Sequence, residues 1–230
     1  MKRQRRNFIA PTAGALLAAA VGMWALAPAA QATVVLGQVD TFQDGTTMGW
    51  SEGITSPNPP TNVATGGPAG AGDRYVQNIA TGGGGAGSRQ IMYNQSQWAG
   101  DYIAAGVDRI NAMVANQGAT DLYLRVAVEG DFAERYASST AVHLPPNSGW
   151  VPVSFDLSPA GMAQVTGSDS LATVLAGVGE LRILSAQSSP SWVGDSTPST
   201  LGVDNIVAAP EPGSLALVLL GATVLLRRRA

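Results

Sequence analysis

Short stretches in which apolar and polar residues alternate recur through the middle of the chain and predict β-strands. Side chains two positions apart lie on the same face of a strand, so this alternation is typical of strands with one buried face. The stretches are residues 74–80, 88–94, 110–114, 122–128, 140–144, 151–155, 181–184 and 201–207. About eight or nine such strands, with no long amphipathic helix between them, predict an all-β fold, an antiparallel β-sandwich.

Two longer apolar runs lie at the ends of the chain, and the first is typical of an export signal. Four basic residues within the first six positions precede the apolar residues 8–26, and Ala30 and Ala32 flank a single glutamine. Small residues in that spacing are accepted by signal peptidase, which predicts cleavage after Ala32. Arg5 and Arg6 also resemble a twin-arginine signal, which leaves the export route open. The alternative is an uncleaved membrane anchor.

The second run has a different pattern. Pro210, Glu211 and Pro212 precede the apolar residues 213–226, and three arginines follow. The prolines hold the backbone extended, and the arginines would stay cytoplasmic, so that the middle of the chain faces outward. Fourteen apolar residues span about 21 Å as a helix at ~1.5 Å per residue. That is short of a hydrocarbon core of ~30 Å, so local thinning and arginine snorkelling would have to make up the difference.

This order of prolines, apolar run and arginines resembles the PEP-CTERM sorting signal, which is also described as an ice-binding-protein C-terminal domain. The resemblance implies that an exosortase recognises Pro210, Glu211 and Pro212 and removes the tail. It further implies an exported protein of the cell envelope, outer surface or extracellular matrix of a Gram-negative bacterium. The expected layout is a signal peptide with a helix over 1–32, the sandwich over 33–207 and the sorting signal with a short transmembrane helix over 208–230. The alternative is a generic tail anchor.

Composition narrows the chemistry that the middle region can perform. The chain has no cysteine, which excludes disulfides and thiolate zinc sites. Its single histidine, His143, makes a Ser-His-Asp triad or a multi-histidine metal site improbable. Residues 33–209 carry six arginines, no lysine and fifteen carboxylates, a net charge of about −9. Such a surface repels phosphate backbones and argues against a nucleic-acid partner. It suits calcium or neutral sugars.

Three short segments, residues 40–50, 149–157 and 202–206, resemble landmarks of galactose-binding-like jelly rolls, including carbohydrate-binding modules. In such modules a structural calcium often joins the first and last strands. Carried over by position, the resemblance implies Gln43 and Asp204 as ligands, and Asp73 could add a carboxylate. Calcium prefers several hard oxygen ligands. The alternative is that these residues cap turns.

Sugar binding requires an exposed flat aromatic ring with polar neighbours. Two groups meet this requirement in the sequence: Trp98 with Asp101 and Tyr102, and Trp192 with Asp195. The alternative is that both tryptophans cover an edge of the sandwich or cap its core.

A second function class is open because Glu129, Asp131 and Glu134 follow a strong strand, where a glycosidase could hold paired carboxylates. A solvated loop is the alternative for this cluster. Residues 82–87 match the G-x-G-x-x-G motif of dinucleotide-binding sites. That motif requires a following helix, and the strand predicted here instead favours a hairpin loop.

The leading hypothesis is therefore a non-enzymatic, envelope-sorted protein whose jelly-roll domain binds carbohydrate or adheres. Its partners would be signal peptidase, exosortase, a polysaccharide and, before processing, the membrane. A secreted polysaccharide hydrolase or lyase and a structural coat protein without a ligand are the alternatives. Trp50 and Trp150 are expected in the core.

Overall fold

Strands make up most of the ordered elements in a computed structural model that describes residues 33–53 and 55–211. The strands are β1 (Val39–Asp40), β2 (Thr61–Val63), β3 (Tyr75–Ala80), β4 (Ile91–Asn94), β5 (Arg109–Asn116), β6 (Leu122–Glu129), β7 (Arg135–Ser138), β8 (Val142–Leu144), β9 (Val151–Asp156), β10 (Met162–Thr166), β11 (Glu180–Ser185) and β12 (Ser199–Ala209). The helices are α1 (Tyr102–Ala105) and α2 (Leu171–Leu175), and Asp131–Ala133 forms a 3-10 turn.

Each of the eight predicted stretches contains a strand, so the prediction of an all-β fold is confirmed. Strands β1, β2, β7 and β10 were not predicted; each has only two to five residues. The predicted signal helix and the hydrophobic C-terminal helix fall on residues 1–32 and 212–230, outside the described residues.

The strands form two antiparallel sheets with the hydrophobic core between them. The front sheet has the order β2-β3-β12-β5-β9, with β1 beside β12, and the back sheet has the order β10-β7-β6-β11-β4, with β8 beside β6. Consecutive strands β3, β4, β5 and β6 alternate between the two sheets. The described domain is therefore an antiparallel β-sandwich, as predicted.

Strand β12 runs through the middle of the front sheet and pairs with β1, β3 and β5. Leu201 and Val203 point into the core, so Gly202 and Asp204 lie on the outer face. A bulge follows, where Asn205 adopts a φ of 50° and shifts the register. The strand ends at Ala209, two residues beyond the predicted limit of the domain at 207.

A buried carboxylate joins the first strand to two tryptophans. Asp40 is only 1% exposed, and its Oδ2 accepts hydrogen bonds from the indole nitrogens of Trp50 at 2.8 Å and Trp98 at 2.7 Å. Gln97 donates a third at 3.2 Å. Burial raises the pKa of Asp40, and the three hydrogen bonds oppose this shift because they favour the ionised form. The prediction that Trp50 belongs to the core is confirmed, since it is 2% exposed.

Asp40→Ala should lower the free energy of unfolding by about 2 to 5 kcal/mol, because two buried indole N–H groups lose their acceptor and each unpaired donor costs roughly 1–3 kcal/mol. Urea unfolding followed by tryptophan fluorescence measures the change. Asp169→Ala removes an exposed carboxylate and serves as the matched control. A loss below about 1 kcal/mol for Asp40→Ala would contradict the structural role of this carboxylate.

Candidate functional site

The outer face of the front sheet carries a partly exposed tryptophan, Trp150, immediately before β9. Its ring lies over the backbone of β12: a Cβ placed on Gly202 would be 2.9 Å from Cη2 of Trp150. The indole nitrogen donates a hydrogen bond to the carbonyl of Gly66 at 2.8 Å. The expectation that Trp150 lies in the core is therefore wrong. Since Val153 and Phe155 of β9 face the core, strand alternation turns Trp150 outward.

Polar side chains in fixed positions surround this indole. The ring of Tyr75 meets Trp150 edge to face, with 5.1 Å between ring centroids and an interplanar angle of 78°. Gln117 donates to the Tyr75 hydroxyl at 3.0 Å, and Gln77 donates to the side-chain oxygen of Gln117 at 2.7 Å. This chain of hydrogen bonds orders two amides and a phenol beside the indole.

A cavity of about 440 Å³ lies on the same face. Met113, Pro152 and Ser154 are among its lining residues, and Pro152 lies two residues after Trp150 on β9, so the two share a face. We call the cavity, together with Trp150, Tyr75, Gln77 and Gln117, the aromatic groove. It joins a flat apolar surface to amide and hydroxyl groups on one side of the sheet.

Asp204 lies on this face opposite Met113 but is fully buried. Its two carboxylate oxygens accept hydrogen bonds from the backbone and side-chain nitrogens of Asn205, at 2.7 and 3.0 Å. Burial raises the pKa of Asp204 to about 6, and the nearby Asp73 carboxylate adds to the shift. Both Asp204 oxygens are thus bonded to Asn205, and Asp204 is not among the residues that line the cavity.

The residues predicted to bind calcium already have protein partners. Gln43 donates its amide to Asp73 Oδ1 at 2.8 Å, and the other oxygen of Asp73 accepts the backbone N–H of Ala69 at 2.7 Å. Among the described residues there is no group of three or more acidic or histidine side chains that could share a metal ion. Because the Gln43 side chain turns its N–H toward Asp73, this donor set does not fit calcium as it stands.

The first predicted sugar-binding group is structural. Trp98 and Tyr102 are both completely buried, and the Tyr102 hydroxyl donates to the Trp98 carbonyl at 2.8 Å. Burial raises the pKa of Tyr102. Asp101 caps helix α1 by accepting the backbone N–H of Ala104 at 2.8 Å. A buried ring cannot stack on a sugar. Trp98 instead packs in the hydrophobic core.

The second candidate, Trp192, covers the outer face of the back sheet and is 6% exposed. The guanidinium carbons of Arg182 and Arg135 lie over its ring, 3.8 and 4.8 Å from the centroid. These cation-π contacts occupy the aromatic surface that a sugar would need. Asp195, from the same loop, lines a separate cavity at one end of the sandwich.

The acidic cluster does not form a shared carboxylate pair. Glu129 forms an ion pair with Arg135, whereas Glu134 accepts the backbone N–H groups of Ser168 and Asp169 at 2.7 and 2.8 Å. Asp131 lies in an exposed turn. The two glutamates are thus used to hold the back sheet and a neighbouring turn. The glycine-rich residues 82–87 precede strand β4, so a strand follows them as predicted. The predicted hairpin loop is wrong, because β3 and β4 lie in different sheets and this segment connects the two sheets.

The predicted sorting residues lie at the limit of the described chain. Pro210 follows β12 directly and Glu211 is exposed, while Pro212 and the signal-cleavage residues Ala30 and Ala32 lie outside the described residues. Over 33–53 and 55–211, no helix has the length and apolar character needed to cross a membrane.

Sequence reasoning missed Trp150, Tyr75 and the two glutamines as site residues. The sequence contained one signal for Trp150. It lies two residues before Pro152 and four before Ser154, so the three side chains lie on the same outer face of the strand. Nothing in the sequence indicated that Gln77 and Gln117, forty positions apart, would meet across the sheet.

Comparison with known proteins finds similarity only to solved structures, at low sequence identity. No protein-family model and no curated protein sequence matches the chain. Among solved structures, the chain is similar to an exo-β-agarase, with a TM-score of 0.49 and 10% identity over 77% of this chain and 25% of that chain. The chain thus spans about a quarter of the agarase's length.

Two further similar structures are carbohydrate-binding modules. One is the family 11 module from Clostridium thermocellum in complex with a β-1,3-1,4-mixed-linked tetrasaccharide, with a TM-score of 0.47 and 11% identity over 77% of this chain and 99% of that chain. The other is the solution structure of CtCBM11, with a TM-score of 0.45 and 13% identity over 76% and 98%. At these scores the likeness does not indicate a function.

Gly202→Ala should displace the Trp150 ring, because the added Cβ would lie 2.9 Å from it. We expect the Trp150 indole N–H to lose its bond to Gly66 and to exchange with solvent at least tenfold faster, while the indoles bound to Asp40 stay protected. Hydrogen exchange measured by NMR on the five indole resonances tests this. Gly149→Ala, where an added Cβ meets nothing within 4 Å, is the control. Unchanged exchange at Trp150 would contradict the close packing over β12.

Proposed function

We propose that the sandwich is a non-enzymatic carbohydrate-binding domain and that the aromatic groove is its binding surface. The observation that carries the proposal is the partly exposed Trp150 ring beside Tyr75, with the Gln77 and Gln117 amides ordered next to it. An indole face stacks on the apolar face of a pyranose, while amides and hydroxyls exchange hydrogen bonds with the sugar hydroxyls. The groove provides both kinds of contact.

The form of the groove favours an extended chain of sugars over a single enclosed unit. It lies on the outer face of a sheet, and its cavity is lined by residues of β9 and β5, among them Pro152 and Met113. Successive sugar units could therefore lie along the strands. With a net charge of about −9 over residues 33–209, the domain favours a neutral polysaccharide over a polyanion.

The side chains of the aromatic groove are already held in place, which favours ligand affinity from few contacts. The Trp150 indole is fixed at two points, by its bond to Gly66 and by its packing on Gly202. The glutamines are fixed by each other and by Tyr75. Side chains that are already ordered lose little rotamer freedom when a ligand binds. We also propose that the sandwich is a galactose-binding-like jelly roll, and the alternation of consecutive strands between the sheets supports this.

We further propose that the protein is exported and held at the envelope of a Gram-negative bacterium until an exosortase removes its tail. The support is the order of Pro210, Glu211 and Pro212 before the apolar run and three arginines. The tail would begin directly after β12, where Glu211 is exposed. Such a protein would present its sugar-binding sandwich to matrix polysaccharide outside the cell.

Trp150→Ala should weaken binding to a neutral polysaccharide about tenfold or more, which corresponds to about 1.4 kcal/mol. Affinity electrophoresis on mixed-linkage β-glucan and on agarose, with the full chain purified in a detergent that lacks sugar groups, measures the change. Phe132→Ala removes an aromatic side chain that is 98% exposed elsewhere on the surface and is the matched control. Melting temperatures confirm that both variants fold.

Two results would contradict the carbohydrate proposal. One is that the wild-type chain is not retarded by any neutral polysaccharide in a broad panel. The other is that Trp150→Ala and Phe132→Ala behave alike. Release of reducing ends by the wild-type chain would instead favour a hydrolase.

Pro210→Ala combined with Pro212→Ala should leave the tail attached when the chain is expressed with an exosortase, because the extended recognition segment is lost. Mass spectrometry of the mature termini measures this, and it also tests cleavage after Ala32. Pro145→Ala, in an exposed turn of the sandwich, is the control. A full-length chain with both ends intact in the cytoplasm would contradict export and sorting together.

A further inference from the structure

A second cavity, separate from the aromatic groove, lies at one end of the sandwich. It has a volume of about 520 Å³, within the ~300–1,000 Å³ typical of ligand pockets. Its walls come from the turn between β5 and β6 and from the loop between β11 and β12. We call it the end cavity. Eleven of its thirteen lining residues are polar, so its ligand must be rich in hydrogen-bonding groups.

The end cavity contains a buried amide with unmet hydrogen-bonding capacity. Gln90 is completely buried, and its Oε1 accepts the Ser199 hydroxyl at 2.9 Å. Its Nε2 has no partner among the described residues. A buried amide without an acceptor is costly, and a ligand oxygen in the cavity would remove that cost. This unpaired donor is the observation that points to a ligand.

The walls of the end cavity are held in place by hydrogen bonds across the chain. The backbone N–H of Asp195 donates to the Ser185 carbonyl at 2.6 Å, and that of Gln90 donates to the Asp195 carbonyl at 3.1 Å. Thr120 donates its hydroxyl to the Pro198 carbonyl at 2.6 Å. The loop between β11 and β12 is therefore tied to both neighbouring segments, and the cavity is a built feature of the fold.

Charge decides what kind of polar ligand fits. Asp121 and Asp195 line the end cavity, and none of its lining residues is basic. The nearby Arg125 is buried and donates its N–H groups to the carbonyls of Ala186, Ser138 and Ser139. Arg125 interacts electrostatically with Asp195, and His143 contacts Asp121. The cavity wall itself nevertheless carries two carboxylates and no basic residue, which disfavours phosphates, sulfates and uronic acids. The carboxylates accept hydrogen bonds well from neutral hydroxyls.

An aromatic surface completes the site. Tyr123 lines the cavity, and its ring stacks on the His143 imidazole, with 4.9 Å between centroids and an interplanar angle of 21°. Asp121 holds that imidazole at 2.6 Å. We infer that the end cavity binds a neutral sugar unit, with Tyr123 beside its apolar face and with Gln90, Asp121 and Asp195 bonded to its hydroxyls. This site does not depend on the aromatic groove.

The test is titration of the full chain with methyl β-glucopyranoside and methyl β-galactopyranoside, in a detergent without sugar groups, followed by calorimetry and saturation-transfer NMR. Ser188 is exposed and lines the cavity, so Ser188→Trp should block it and weaken binding of these glycosides at least tenfold. Ser189→Trp, one position along and also exposed, is the matched control. Trp150→Ala should leave monosaccharide binding within about twofold while it weakens polysaccharide binding.

Several results would overturn the inference. They are the absence of saturable binding by either glycoside, equal binding by Ser188→Trp and Ser189→Trp, and loss of monosaccharide binding in Trp150→Ala but not in Ser188→Trp. The last of these would assign all binding to the groove. Equal or tighter binding of glucuronate or of calcium ions at the cavity would also overturn it. Failure of polysaccharide binding alone would count against the groove and not against the end cavity.

Discussion

The pairing of strand β12 is the constraint on which the rest of the described domain depends. It is the longest strand there and hydrogen-bonds to β1, β3 and β5, so it links the beginning, middle and end of the chain. Its register sends Leu201 and Val203 into the core and Gly202 outward. A slip by one residue would reverse these faces, bury Asp204 in the core and remove the flat surface on which Trp150 lies.

The two outer faces of the sandwich differ because different side chains cover them. On the back sheet, Trp192 is enclosed by Arg182 and Arg135, and their partners Glu180 and Glu129 neutralise them. Cation-π contacts and ion pairs therefore cover the Trp192 ring on that face. On the front sheet, the absence of a side chain at Gly202 leaves room for the Trp150 indole, which stays partly open to solvent. The Trp192 ring is thus covered by its neighbours, whereas the Trp150 ring stays partly exposed.

Both proposed sugar sites rely on prior order. In the aromatic groove the order comes from the bonds that join Gln77, Gln117 and Tyr75. In the end cavity it comes from backbone bonds that tie the loop before β12 to Ser185 and Gln90. The sites differ in what they offer: the groove presents an open ring for an extended chain, while the end cavity encloses polar atoms around a single unit. A protein with both could hold one polysaccharide along its side and another at its end.

The sequence by itself determined the strands, the all-β class and the inward parity of most apolar positions, because alternation is a local property of each strand. Only the tertiary structure decided which tryptophans are exposed. Trp98 is buried because Asp40, fifty-eight positions earlier, lies close enough to accept its indole N–H. Trp150 is open because β9 pairs with β5 and β5 with β12, which brings Gly202 beneath it. The position of a side chain relative to distant strands depends on sheet register and on long-range contacts, and residue type alone does not specify these.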